Sequence, residues 1–136
     1  MKNIISTLAI AMVATAAFAQ RQSYTVKGTC PSDVKKVYIM DMDGRSPQVI
    51  DSAAVANGKF SISGSAEKNA LLGLSATQRD YRAFFNDGTP ITADLKTNEL
   101  KGSDLNTKLN AYDRELDAMG EELKPLYTQV SAMYAN

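Results

Sequence analysis

Few side chains in this 136-residue sequence could carry chemistry, and they are scattered. Cys30 is the single thiol, in the stretch "GTCPSD". A reactive thiol needs a cation or a helix N-terminus to lower its pKa. Here the cysteine ends a predicted strand and enters a turn, beside Asp33, with Lys27, Lys35 and Lys36 as the nearest cations. A non-catalytic thiol is the expectation. Asp41, Asp43 and Asp51 in "DMDGRSPQVIDS" lack the further oxygen ligands and closing Glu of a calcium loop, so Asp43-Gly44 reads as a turn. Asp113, Glu115, Asp117, Glu121 and Glu122 spread at helical spacing over the side away from an apolar seam, as on a solvated face. The sequence has no His, which excludes a Ser-His-Asp triad, a Cys-His dyad and a His-ligated metal. One Cys excludes an internal disulfide and a Cys-x-x-Cys redox pair. No catalytic residue, cofactor site or metal site is predicted.

One carboxylate sits in an unexpected place. "VIDSAAVANGKFSISG", residues 49 to 64, reads as two alternating strands meeting at Asn57-Gly58. Asn-Gly suits a type I′ turn, which needs two residues at positive φ. That register pairs Val55 with Phe60, Ala53 with Ile62 and Ser52 with Ser63. The inner face is then Val49, Asp51, Ala53, Val55, Phe60 and Ile62, with Asp51 in the apolar register. A buried carboxylate left unpaired costs several kcal/mol. The same register sets Asp51 opposite Gly64, which offers no side chain, so the carboxylate is expected to turn to loop amides or a Tyr hydroxyl at the sheet rim. Asp51, Asn57, Gly58, Phe60 and Gly64 are therefore predicted as structural residues.

The elements around them are mostly strands. Residues 23–29, 34–40, 49–55, 59–63, 70–77, 81–86 and 90–95 read as strands, with a weaker one near 99–101. The run "ALLGLSAT" is continuously apolar, as in a strand covered on both faces. Turn signals separate the runs, at Cys30-Pro31, Asp43-Gly44, Asn57-Gly58, Asn86-Asp87-Gly88 and Thr97-Asn98. Short strands with close turns predict a mainly β chain, an antiparallel sandwich or barrel, over residues 20–102.

At Gly102-Ser103 the period changes. Ser103 is a good N-cap and Asp104 suits the positive end of a helix dipole. Apolar residues recur at Leu105, Leu109, Tyr112, Leu116, Met119, Leu123, Leu126, Val130 and Met133, alternating spacings of four and three. A helical segment over 103–136 is predicted, with a kink or break where Gly120 and Pro125 interrupt it. Its first half is expected to pack on the β-domain. Its second half, with Leu123, Leu126, Val130 and Met133, is expected to meet a partner, which includes self-association.

The first nineteen residues carry a different signal. Lys2, the short apolar run Ile4–Ala16 and Ala17-Phe18-Ala19 before Gln20 match a cleaved signal peptide. The run is shorter than the ~20 residues a membrane helix needs. A soluble, periplasmic protein starting near Gln20 is expected, without stable membrane insertion after cleavage. The whole chain balances 15 basic against 15 acidic residues with no basic stripe, so no nucleic-acid partner is expected.

The order "YTVKGTC", "VKKVYIMD", "VIDSAAVANGKFSISGSA", "FFNDGTPITADL", "LKGSDLNTKLNAYDREL" carries a resemblance. It is similar to an uncharacterised all-β domain of exported proteins in certain Gram-negative bacteria. The matching residues are Gly28, Asp51, Ser52, Asn57, Gly58, Phe60, Gly64, Phe85, Gly88, Gly102 and Ser103, within residues 23 to 118. The resemblance implies a domain that stands before a thioredoxin-like domain, in proteins resembling thiol–disulfide oxidoreductases or the alkyl hydroperoxide reductase and thiol-specific antioxidant group. The Cys pair of that second domain is not in this sequence, which ends where that domain would begin, so no catalytic residue carries over. Three readings follow: an exported non-catalytic β-domain acting through protein contacts, the accessory part of a redox enzyme, or a small-ligand binder. Docking to a thioredoxin-like domain through the helix belongs to the second.

Overall fold

The computed structural model describes residues 20–135. Among the described residues eight strands precede one helix: β1 Arg21–Thr29, β2 Lys36–Asp41, β3 Gln48–Ala54, β4 Lys59–Glu67, β5 Leu71–Ser75, β6 Arg82–Phe85, β7 Ile91–Asp94 and β8 Glu99–Lys101, then α1 Asp104–Tyr134. The chain is mainly β, as its alternation predicts. The strands form two four-stranded sheets, in the orders β4-β1-β7-β8 and β3-β2-β5-β6. Inward-facing residues of both sheets make one core, including Val26, Ile39, Phe60, Ile62, Leu72, Leu74, Phe84, Ile91 and Leu100. Pairing is antiparallel except between β1 and β7, which run parallel.

The strands expected to form a hairpin do not pair with each other. β3 pairs with β2, and β4 pairs with β1 in the other sheet. The tight turn itself is present: Asn57 has φ 53° and Gly58 φ 70°, and Ala56 and Lys59 exchange both backbone bonds. Beyond that single bridge the chain changes sheets. The predicted ladder of Val55 with Phe60, Ala53 with Ile62 and Ser52 with Ser63 is therefore replaced. Ser52 faces Tyr38, Ala53 faces Val37, Phe60 faces Gly28 and Ile62 faces Val26. Turn chemistry is local, whereas the choice of neighbour belongs to longer partners: nine residues of β1 match nine of β4. The predicted inner face of β4 survives this change, because alternation depends only on the period of two. Phe60 and Ile62 are buried, and Lys59, Ser61 and Ser63 are exposed. Val49 is 44% exposed, because the β2–β3 register shifts between Ile39 and Met40 and leaves Ile50 unpaired.

β5 is covered on both sides. Leu72 and Leu74 enter the core, while Met42 and Tyr81 close over Gly73, where a Cβ would lie 3.1 Å from the Met42 sulfur. The helix is continuous for 31 residues, with Pro125 inside it. The expected break is absent. Proline removes one backbone bond, and the flanking Glu121–Lys124 pair at 2.5 Å and the Thr128 hydroxyl donating to the Lys124 carbonyl hold the same turns.

Candidate interaction surface

Four strands end the two sheets: β4 and β8 in one, β3 and β6 in the other. An edge strand exposes peptide groups that invite another chain to pair. The helix covers two of these edges, β6 and β8, and it does so with asparagines. The Asn106 Oδ1 accepts from the Phe85 N–H at 2.7 Å, and its Nδ2 donates to the Phe85 carbonyl at 2.9 Å. A carboxamide offers one acceptor and one donor face, the same pair a neighbouring strand would supply. One turn later, Asn110 Oδ1 accepts from the Leu100 N–H at 3.0 Å, and Nδ2 donates to the Asn98 carbonyl at 3.2 Å. Asn106 and Asn110 are the buried residues of the helix, so the docking face is polar. Asparagine is a poor helix former, and two of them at i and i+4 were the signal in the sequence that could have marked this face.

The same stripe continues through Asp113 and Asp117. Asp113 lies near the Ala83 backbone, and Asp117 pairs with Arg82 at 2.5 Å. Burial pushes the Asp113 carboxyl up; Asp117 adds to the rise and Arg82 opposes it. Phe85, Ala83 and Arg82 are met in descending order as the helix advances, so α1 runs antiparallel to β6. Asp113, expected on a solvated face, is half-buried against the sandwich, while Asp117 reaches Arg82 and stays exposed. Glu115, Glu121 and Glu122 are exposed. At the helix start, Ser103 accepts from the Asn106 N–H at 3.2 Å and donates to Asp87. Asp87 also accepts from Thr89 across the Gly88 turn, where φ is 86°.

The apolar seam consequently faces away from the sandwich. Leu105, Tyr112, Leu116, Met119, Leu123, Leu126, Val130 and Met133 are 40–77% exposed, and Leu109 is partly buried. The first half of the helix packs on the β-domain as expected, but through its polar stripe and not through the apolar seam. Edge strands present unsatisfied N–H and C=O groups, so the side chains that dock on them are those that hydrogen-bond. Beyond Asp117 every described helical residue is exposed, and the helix continues for about 25 Å at 1.5 Å per residue. Among the described residues no helix is long and apolar enough to cross a membrane.

Asp51 is far from this surface. It lies on β3 facing the other sheet, and its Oδ2 accepts from the Tyr24 hydroxyl at 2.7 Å while its Oδ1 accepts from the Ser52 N–H at 2.8 Å. Gly64 lies beneath the pair: a Cβ there would stand 2.5 Å from the Tyr24 oxygen and 2.7 Å from the Asp51 oxygen. The sequence placed Asp51 beside Gly64 by a ladder that does not exist. The two meet across the gap between the sheets, through Tyr24, the neighbour of Gly64 on β1. Burial first, then the bond to Asp51, push the Tyr24 phenol well above its ordinary pKa, so the hydroxyl keeps its proton and its donor role.

Asn86, at the start of the predicted Asn86-Asp87-Gly88 turn, is a further buried amide. Its Nδ2 donates to the Gln22 and Glu67 carbonyls at 2.9 and 3.2 Å, tying the β1 and β4 ends together. Cys30 is 1% exposed, and its thiol points to the Gly58 carbonyl at 3.9 Å. Burial pushes this thiol up and Asp33 adds to the rise, against Lys96. A protonated thiol is a poor nucleophile. Among the described residues no three His, Cys, Asp or Glu side chains gather as a metal site.

The family described as "Domain of unknown function (DUF4369)" matches residues 24–109. That span holds all eight strands except the first three residues of β1, and it ends within the anchored start of α1. A comparison with curated proteins finds no match.

Proposed function

The chain belongs to the DUF4369 family, and from that premise we propose that it is an exported, non-catalytic β-domain that works through protein contacts made by α1. One observation carries this reading: an apolar seam runs the length of a helix whose polar side is fixed to the sandwich. Exposed apolar surface of this extent is a mark of an interaction site. The sandwich serves as a rigid base that sets the direction of the helix. Export to the periplasm follows from the N-terminal signal pattern. The non-catalytic part follows from the chemistry present: a buried, protonated thiol, no His, and an aspartate committed to a structural bond.

A photo-reactive residue placed at Leu126, on the seam, and separately at Glu121, on the outer side, tests the contact in the living cell. Protein cross-links from position 126 and none from 121 are expected. No cross-links from either position would refute the reading. Insulin reduction and peroxide consumption test the other half, each beside a Cys30→Ser variant. Activity that disappears in that variant would make the chain an enzyme.

A second reading keeps the contact and changes its owner: the seam meets a thioredoxin-like domain, making this chain the accessory part of a periplasmic thiol–disulfide oxidoreductase or peroxiredoxin-like enzyme. The order of motifs from "YTVKGTC" to "LKGSDLNTKLNAYDREL" favours it. In that case the cross-link from position 126 carries a Cys-x-x-Cys protein.

A further inference from the structure

The contact surface proposed above has a shape and a charge pattern that discriminate among partners. In heptad terms Leu109, Leu116, Leu123 and Val130 occupy a, while Leu105, Tyr112, Met119, Leu126 and Met133 occupy d. The anchoring side chains stand elsewhere: Asn106 and Asp113 at e, Asn110 and Asp117 at b. With about 100° between successive residues, the anchor stripe lies roughly a quarter turn from the middle of the seam. A second helix can lie along the seam with every one of those anchoring bonds intact.

We infer that the partner is a second copy of this chain, and that the two α1 helices pair as a parallel, in-register, two-stranded coiled coil. This rests on the reading of α1 as a contact surface and commits it to one occupant. Charge sets the direction. In a parallel pair each g residue faces the e residue of the next heptad on the other chain. Lys108 then faces Asp113 of the other copy, an opposite charge. Glu115, Glu122 and Gln129 face Gly120, Tyr127 and Tyr134, so no like charges meet. In an antiparallel pair with full overlap, g faces g, and Glu115 meets Glu122 twice, once at each symmetry-related place. Like charges at close range are unfavourable.

Area sets the extent. Burial of about 60 Å² for each seam residue, the lower figure for a buried aliphatic side chain, gives roughly 1,100 Å² over nine residues and two chains. Tyr127 and Tyr134 at e, 68% and 88% exposed, add to this along the distal half. Stable specific interfaces begin near about 1,200 Å². The distal half alone supplies about half of that, so the pairing uses the whole seam, beside the sandwich as well as beyond it. The contact is isologous, and the pair closes on itself without propagating.

Sedimentation of the purified chain across the micromolar range tests the pairing. A concentration-dependent dimer is expected. Leu126→Glu, at d, should weaken it at least tenfold, and Arg114→Glu, at the outer f position, should leave it unchanged. Direction is read from a Met133→Cys, Cys30→Ser variant under mild oxidation. A parallel pair brings the two 133 positions together and gives a disulfide-linked dimer of that variant alone. In an antiparallel pair position 133 lies near position 105, and a link needs an equal mixture with a Leu105→Cys, Cys30→Ser variant. A monomer at all concentrations, a dimer that survives Leu126→Glu, or a link only in the mixture would each overturn this inference. A purified monomer whose position 126 still cross-links to another protein in the cell would overturn it while leaving the contact reading standing.

Discussion

The two halves of α1 carry the same apolar seam but stand in different surroundings. Over Asp104–Asp117 the helix has a second, polar stripe that bonds to β6 and β8. Over Ala118–Tyr134 no side chain hydrogen-bonds to a described strand, and all its residues are exposed. The seam is exposed in both halves. Docking of the first half is therefore decided by side chains that complete the hydrogen bonding of sheet edges, and the apolar face is left for other use. A helix can be amphipathic and still rest on its domain through its polar side. The proximal half fixes direction, and the distal half supplies reach.

The largest effect should come from the anchors. Asn106→Ala with Asn110→Ala leaves the Phe85 and Leu100 amides without their partners, at about 1–3 kcal/mol for each unsatisfied buried group. Urea denaturation of the double variant should show a loss of about 2–6 kcal/mol. Hydrogen exchange should quicken at Phe85 and Leu100 together. A loss below about 0.5 kcal/mol, the scale of ordinary surface changes, would mean that the two halves do not differ.

The rim opposite the helix comes next. Asp51→Ala should cost about 1–3 kcal/mol through the orphaned Tyr24 hydroxyl and Ser52 amide. Asp51→Asn should cost less, since its Oδ1 still accepts. Gly64→Ala should match Asp51→Ala, because its Cβ would enter the space of the Tyr24–Asp51 bond. Equal stability of all three with the parent chain would show the bond to be idle.

A smaller effect depends on pH. The folded Tyr24 phenol has a raised pKa. Its contribution is fully present below the unfolded value of about 10. It is lost as pH rises beyond that value, because the unfolded tyrosine ionises first. Tyr24→Phe should cost about 1 kcal/mol at neutral pH and flatten the fall in stability above about pH 10. An unchanged alkaline slope in that variant would place its origin in other residues.

The smallest effect belongs to the overhang. Leu126→Glu should alter unfolding by less than about 0.5 kcal/mol at concentrations where the chain is monomeric. Brief chymotrypsin treatment under those conditions should cut after Tyr127 before Tyr112, because the anchored turns open less often. Early cleavage after Tyr112 would erase the distinction between the halves.

Much of the fold can be read along the chain. Strand positions follow from period-two alternation, and the observed strands fall inside or beside the predicted runs. The Ser103 cap, the Asn57-Gly58 turn and the helical seam depend on neighbours within a few residues, so the sequence determined them alone. What it could not determine is which strands are neighbours. A good turn and good alternation predicted a hairpin from β3 and β4, yet β3 paired with β2, the strand just before it, and β4 with β1, distant in sequence and equal in length. Asp51 reached Gly64 by a route no ladder describes, because Tyr24 arrives from the facing sheet. The helix faced the sandwich with its asparagines for the same reason. The unpaired peptides of β6 and β8 come to lie beside α1 only when the sheets stand together, and only then do Asn106 and Asn110 have something to bond. Local sequence sets periodicity and turn geometry through short-range sterics and hydrogen bonds. Tertiary structure alone settles which polar groups must find partners, since that depends on which edges are left unpaired.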